Sequence, residues 1–157
     1  MDELRRQILQ AGGGAALLAL LGAGLLHPRR VLAASWNAAA FESKDAAGAL
    51  RGLGAGAMQA QPSSDLLLTG PEIAENGAVV PLEISSKIPN TTALAVVIEK
   101  NPLPLAAHFE FFGPALPQVS VRIKMAESSV VKLLAEAGGK FYYTSREIKV
   151  IAGGCSS

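Results

Sequence analysis

From Asp65 to Ile151 the chain is a succession of short runs of Val, Ile, Leu and Phe, each closed by Gly, Pro, Asn or Ser. No long helical pattern intervenes, so the core these residues build has to be made of strands. In the clearest run, Val119, Val121, Ile123 and Met125 alternate with Ser120, Arg122 and Lys124. That alternation puts apolar side chains on one face of a strand and solvated ones on the other. The candidate strands are Leu66–Thr69, Val79–Ser85, Ala93–Glu99, His108–Phe112, Gln118–Ala126, Val130–Ala137, Phe141–Thr144 and Glu147–Ile151. A spacing of about eight to twelve residues per strand is that of an all-β sandwich or barrel.

Asn76-Gly77 and Gly138-Gly139 are two-residue turn signals, each able to close a hairpin by supplying positive φ. Pro81 cannot donate to a ladder and marks its strand as an edge or a bulge, while Glu72 and Glu75 bracket a turn. The expected fold is an immunoglobulin-like antiparallel β-sandwich, although a closed barrel would leave nearly the same pattern.

Ahead of the sandwich, Phe41, Ala46, Ala47 and Leu50 recur at helical spacing, which predicts one short N-terminal helix within Trp36–Gly54, stopped by Gly52 and Gly54. Gly54–Ser64 lacks periodicity and reads as a linker. Before these lies an export pattern: Arg5-Arg6 followed by Gln7, Ile8 and Leu9, an Ala, Gly and Leu run from Ala11 to Leu26, and the small-residue segment Val31-Leu32-Ala33-Ala34. This is the layout of a secretory signal of twin-arginine type, cleaved after Ala33 or Ala34. The apolar run falls short of the roughly 20 residues of a membrane span and is interrupted by glycines, so no membrane association is expected after cleavage. The organisation that follows is a signal over 1–34, helix and linker over 35–64, sandwich over 65–151 and a flexible arm over 152–157.

At 157 residues, half of them apolar, the chain can bury a core without disulfides or metals. The formal charge of +1 is carried by the arginines of the signal. What remains is slightly acidic, against a nucleic-acid partner, which would need a basic face to neutralise phosphates. Export places the mature chain in an oxidising periplasm with one unpaired thiol, Cys155.

Catalytic constellations are thin. After cleavage the chain keeps a single histidine, His108, and a single cysteine, Cys155, too few for a zinc or copper site, which takes three or four convergent ligands. His108 lies in an alternating strand run and reads as a solvent-facing or hydrogen-bonded strand residue. A Cys-His nucleophilic pair would require holding a tail thiol against a base at considerable ordering entropy. No phosphate loop, serine elbow or dinucleotide fingerprint is present, so neither an enzymatic activity nor a cofactor is expected.

Cys155 follows Gly153 and Gly154 and precedes Ser156 and Ser157, with no Lys, Arg or His beside it. Its thiol therefore keeps ordinary acidity and is mostly protonated at neutral pH. An accessible thiol that is not activated by its own chain suits a carrier whose reactivity is supplied by the pocket it enters. From Ile151 to Cys155 the extended chain spans about 13 to 14 Å, and the two glycines let it thread a narrow channel. The plain alternative is an incidental surface cysteine.

Several stretches then resemble one family. They are Ala40-Phe41-Glu42-Ser43-Lys44-Asp45, the run Pro71-Glu72-Ile73-Ala74-Glu75-Asn76-Gly77-Ala78-Val79-Val80-Pro81, Glu99-Lys100-Asn101-Pro102, Pro104-Leu105-Ala106-Ala107, Val119–Met125, Gly139-Lys140-Phe141-Tyr142 and Gly153-Gly154-Cys155. Together these are similar to the SoxY family, sulfur carriers of the periplasmic Sox thiosulfate-oxidising system. The resemblance implies a heterodimer with a SoxZ-like β-sandwich subunit, and covalent attachment of sulfur intermediates to Cys155. It also implies transient visits to haem-containing and hydrolytic Sox enzymes, with no catalytic residue on the carrier itself. The family's tail ends Gly-Gly-Cys-Gly-Gly, so Ser156 and Ser157 depart from it at the working end. The competing functions are a similar carrier or adaptor for another periplasmic redox system, and a β-sandwich interaction protein with an incidental cysteine.

Overall fold

In the computed structural model the described residues are 36–56 and 60–152; the export segment and the tail from Gly153 lie outside them. The elements are helices α1 (Ala38–Phe41) and α2 (Ala46–Gly52), then strands β1 (Ala60–Pro62), β2 (Leu66–Thr69), β3 (Ile73–Asn76), β4 (Val80–Ser86), β5 (Thr91–Ile98), β6 (Leu105–Glu110), β7 (Gln118–Ile123), β8 (Ser129–Ala137) and β9 (Lys140–Ala152). They form an all-β, immunoglobulin-like sandwich. The larger sheet runs β1-β9-β8-β5-β6, with β3 also on β9, and the smaller runs β2-β4-β7. The ladders are antiparallel except for β1 and β3, which both lie parallel to β9.

The core follows from strand alternation. Leu94, Val96 and Ile98 of β5, Val131, Leu133 and Ala135 of β8, and Ile148 of β9 face inward from the larger sheet. They meet Leu66, Val80, Leu82, Ile84 and Ile123 of the smaller one. The run singled out in the sequence behaves accordingly: Val119 and Val121 are half-buried and Ile123 and Met125 buried, while Ser120, Arg122 and Lys124 are exposed.

The outer face of the larger sheet has a second apolar layer. Ala95, Val97, Leu105 and Leu134 are covered by Ala40, Ala49 and Ala55, with Phe41, Leu50 and Leu53 packed alongside. Two short helices do this rather than the single predicted one. Asp45 caps α2 by accepting a hydrogen bond from the Gly48 amide at 2.6 Å, and an N-cap in extended conformation breaks the chain between the helices. Asn37 caps α1 and donates across to the Gly52 carbonyl at 2.8 Å. The positions wholly buried are Ala40 and Ala49, and Phe41, Ala46 and Leu50 of the expected face pack partly buried against the same cluster.

Other expectations are corrected by the pairing. The stretch read as a linker contains β1, whose register on Phe141–Tyr143 no local pattern announces. Phe141–Thr144 and Glu147–Ile151 are one strand, because β8 pairs without interruption through Ser145 and Arg146. Glu75 lies in β3 and not at a turn. Gly138-Gly139 does close the β8–β9 hairpin with φ of 56° and 72°. Asn76-Gly77 closes none: β3 belongs to the larger sheet and β4 to the smaller, and the Gly77 φ is not positive. Its turn is instead fixed by the Asn76 side chain, which accepts from the Ala78 amide at 2.8 Å. Pro81 sits in the middle strand of the smaller sheet, not on an edge strand. It is tolerated because β2 pairs only with Glu83–Ser86 and stops short of it.

The helix layer depends on close backbone approach. A Cβ on Gly52 would meet the Ala40 Cα at 2.6 Å. Gly52→Ala is therefore expected to push α1 from α2, costing about 1–3 kcal/mol. Hydrogen exchange should show amides 36–54 losing protection while the β5–β8–β9 ladder keeps its own; unchanged protection in the helices would count against this packing.

Candidate functional site

The residues singled out for function, Gly153, Gly154, Cys155, Ser156 and Ser157, lie outside the described residues. What the structure provides is their root, the end of β9. Along Lys140–Ile148, β9 is paired with β8. The Gly138-Gly139 hairpin is closed by the pair Ala137 and Lys140, so even-numbered residues of β9 turn their backbone groups toward β8. Beyond Ile148 the ladder ends, and the Ser128 side chain takes its place. Its hydroxyl accepts from the Val150 amide at 2.9 Å and lies 3.4 Å from the Val150 carbonyl, to which it can donate.

On the opposite edge β3 runs parallel, with Ile73 opposite Lys149, Ala74 opposite Val150 and Asn76 opposite Ala152. The Lys149 amide donates to the Glu72 carbonyl at 2.9 Å, and the Gly77 amide to the Ala152 carbonyl at 2.7 Å. The Gly77 carbonyl accepts in turn from the amide of buried Met125 at 2.7 Å. Asn101 completes the anchor, donating to the Lys124 carbonyl at 2.8 Å and accepting from the Ala126 amide at 2.9 Å. The chain is thus tied to the core as far as Ala152, and Cys155 follows after a span of at most about 10 Å.

This geometry decides between two readings of His108. In the larger sheet His108 stands opposite Ala95, Ala95 opposite Leu134, and Leu134 opposite Tyr143. That row lies about 30 Å along β9 from Ala152 at the usual rise per residue. An arm of about 10 Å cannot bring the Cys155 sulfur to the imidazole, even with both side chains extended. His108 is half-buried beside Leu53, Glu136 and Phe141 under the helix layer, a strand residue with a packing role. Among the described residues, no three His, Cys, Asp or Glu side chains converge as metal ligands would.

Ser128, Asn101 and Gly77 went unremarked in the sequence as parts of the root. Asn76-Gly77 was visible as a turn, but its partner strand was not. Ser128 gave no signal, since a serine in a Ser-Ser pair looks like any loop residue.

A match to the family described as sulfur oxidation protein SoxY spans residues 53–155 and ends on the cysteine. Among solved structures, the sulfur carrier protein SoxY from Chlorobium limicola f thiosulfatophilum is 37% identical, covers 60% of this chain and 86% of its own, and superposes with a TM-score of 0.55. A superoxide reductase (neelaredoxin) from Ignicoccus hospitalis is 19% identical over 60% of this chain and 82% of that one, with a TM-score of 0.49. Comparison with curated proteins gives no match.

Removing the Ser128 hydroxyl should loosen the root without unfolding the sandwich. Ser128→Ala is expected to cost about 0.5–2 kcal/mol and to speed hydrogen exchange at the Val150 amide selectively. Equal exchange in both proteins would show that β3 alone holds the strand end. The sandwich, the anchored end of β9 and a family match running to Cys155 lead to one conclusion: the chain belongs to the SoxY family of sulfur-carrier proteins of the Sox system.

Proposed function

We propose that Cys155 is the covalent attachment point for thiosulfate-derived intermediates, which the chain presents to partner enzymes in the periplasm after twin-arginine export. The observation that carries this reading is the placement of the sole cysteine. It follows two glycines and stands three residues beyond a strand end tied to the core on both edges. A rigid root gives the arm a fixed origin, and a short glycine approach gives its tip freedom to enter a recessed site.

The chemistry follows from an unactivated thiol. A haem-containing partner couples thiosulfate to Cys155: the thiolate and the outer thiosulfate sulfur form an S–S bond, and two electrons leave to the haem. A hydrolytic partner then adds water across the bond to the sulfonate sulfur, releasing sulfate and two protons and leaving a persulfide on the arm. The carrier contributes no acid, base or cofactor to either step. A SoxZ-like β-sandwich subunit completes the carrier as a heterodimer.

Two measurements test this. Wild-type protein incubated with thiosulfate and the haem-containing partner should gain a reducible mass adduct on Cys155, and Cys155→Ser should gain none. An adduct on the serine variant, or full thiosulfate-oxidising activity with it, would dismiss the carrier reading. Ser156 and Ser157 add Cβ atoms and restrict φ beyond the thiol. The double variant Ser156→Gly, Ser157→Gly is therefore expected to load and unload faster with the same partners, and equal rates would discard a steric effect of the serines.

A further inference from the structure

We infer that Ile73, Val79 and Ile151, which surround the root of the arm, form the face on which the catalytic partners dock when they take up Cys155; this rests on Cys155 being the attachment point. The argument begins with reach. Cys155 lies at most about 10 Å from Ala152, so a partner that draws the sulfur into a recessed site must bring its own surface down around Ala152.

The residues around Ala152 follow from the pairing. Ile151 adjoins Ala152 directly, and Ile73 lies opposite Lys149 on the neighbouring strand, about 8 Å from Ile151 by sheet geometry. Val79 closes the turn whose Gly77 amide holds the Ala152 carbonyl, its own amide donating to Asn76 at 3.4 Å. All three are large apolar side chains left mostly in water, 57%, 54% and 73% exposed for Ile73, Val79 and Ile151. An exposed isoleucine alone needs no explanation. Three around the only point from which the arm can be reached are placed where a visiting enzyme must bury them.

The border suits a transient interface. Beside Ile73 an open groove of about 440 Å³ is lined by Glu72, Arg146, Glu147 and Lys149. Odd-numbered residues of β9 turn their backbone groups to this edge, and Ser145 and Glu147 fall in the gap between β1, which stops opposite Tyr143, and β3, which starts opposite Lys149. The Glu147 amide and carbonyl therefore face the groove, unpaired by any strand, while Ser145 lies beyond its lining. An apolar centre bordered by both signs of charge and by free backbone groups is the make-up of a docking patch that must also release.

The test uses the full chain together with its co-purifying subunit, and probes it in two ways. Loading by thiosulfate and the haem-containing partner requires docking, whereas reaction of Cys155 with 5,5′-dithiobis(2-nitrobenzoate) does not. Ile73→Asp and Val79→Asp are each expected to lower kcat/KM for enzymatic loading about tenfold or more, with the small-reagent rate and the melting temperature unchanged. Phe112→Asp and Leu116→Asp, equally exposed but in the β6–β7 loop remote from Ala152, should change neither rate. Wild-type loading by the Ile73 and Val79 variants would overturn the inference. Loss of the co-purifying subunit would also overturn it, by giving the face to that subunit. A shift from dimer to monomer would do so by giving it to a second copy of the chain. If wild-type protein itself takes no adduct on Cys155, the attachment reading falls as well, a result recognisable because it appears with the face intact.

Discussion

Strand β9 runs over Lys140–Ala152, and the rest of the structure is arranged to pair its backbone along most of that length, leaving only the exposed Ser145 and Glu147 edge to water. A buried amide or carbonyl without a partner costs about as much as a lost hydrogen bond, so each buried segment of the strand needs something alongside. β8 serves one edge as far as Ile148, and Ser128 continues where β8 turns away. On the other edge β1 covers the beginning and β3 the end. Between those two the chain leaves the larger sheet, crosses to the smaller one as β2 and returns, which ties the two sheets together through the same strand.

That division of labour matters most at the carboxyl end. A strand end held by one neighbour frays, and an arm attached to it would start from a moving origin. Here the last residues are gripped by β3, by the Gly77 amide and by a serine hydroxyl, and the Gly77 carbonyl passes the constraint to buried Met125. The helix layer lies toward the hairpin end of the same sheet, over Leu134, Phe141 and Tyr143. It stabilises the opposite end of β9 and leaves the root uncovered. A carrier needs this asymmetry: one end of its longest strand sealed into an apolar layer, the other presented to solvent.

The legible parts of the fold were those written in local pattern. Alternation over Val119–Met125 gave the strand and its buried face, and Gly138-Gly139 gave a hairpin whose positive φ values only glycine adopts readily. The spacing of short apolar runs set the fold class, and Cys155 stood out because its neighbours are small and uncharged. The misreadings among the strands come from pairing rather than from local pattern. β1 and β3 are held by strands remote in sequence, and parallel pairing leaves no turn signal nearby to announce it. Asn76-Gly77 carries the same dipeptide chemistry as a hairpin but joins strands of different sheets. Pro81 is excluded from a ladder only where a neighbour would require its amide, and β2 ends before that point.

By itself, then, the sequence determined an all-β chain with a lone thiol behind two glycines, since strand period, turn chemistry and residue identity are properties of neighbours along the chain. Tertiary structure alone decided where the arm begins, that His108 stands about 30 Å away from its root, and that Ile73, Val79 and Ile151 gather there. Those are consequences of register between remote segments. Register is set by which buried faces and backbone groups can be satisfied together, a condition no single stretch of sequence contains.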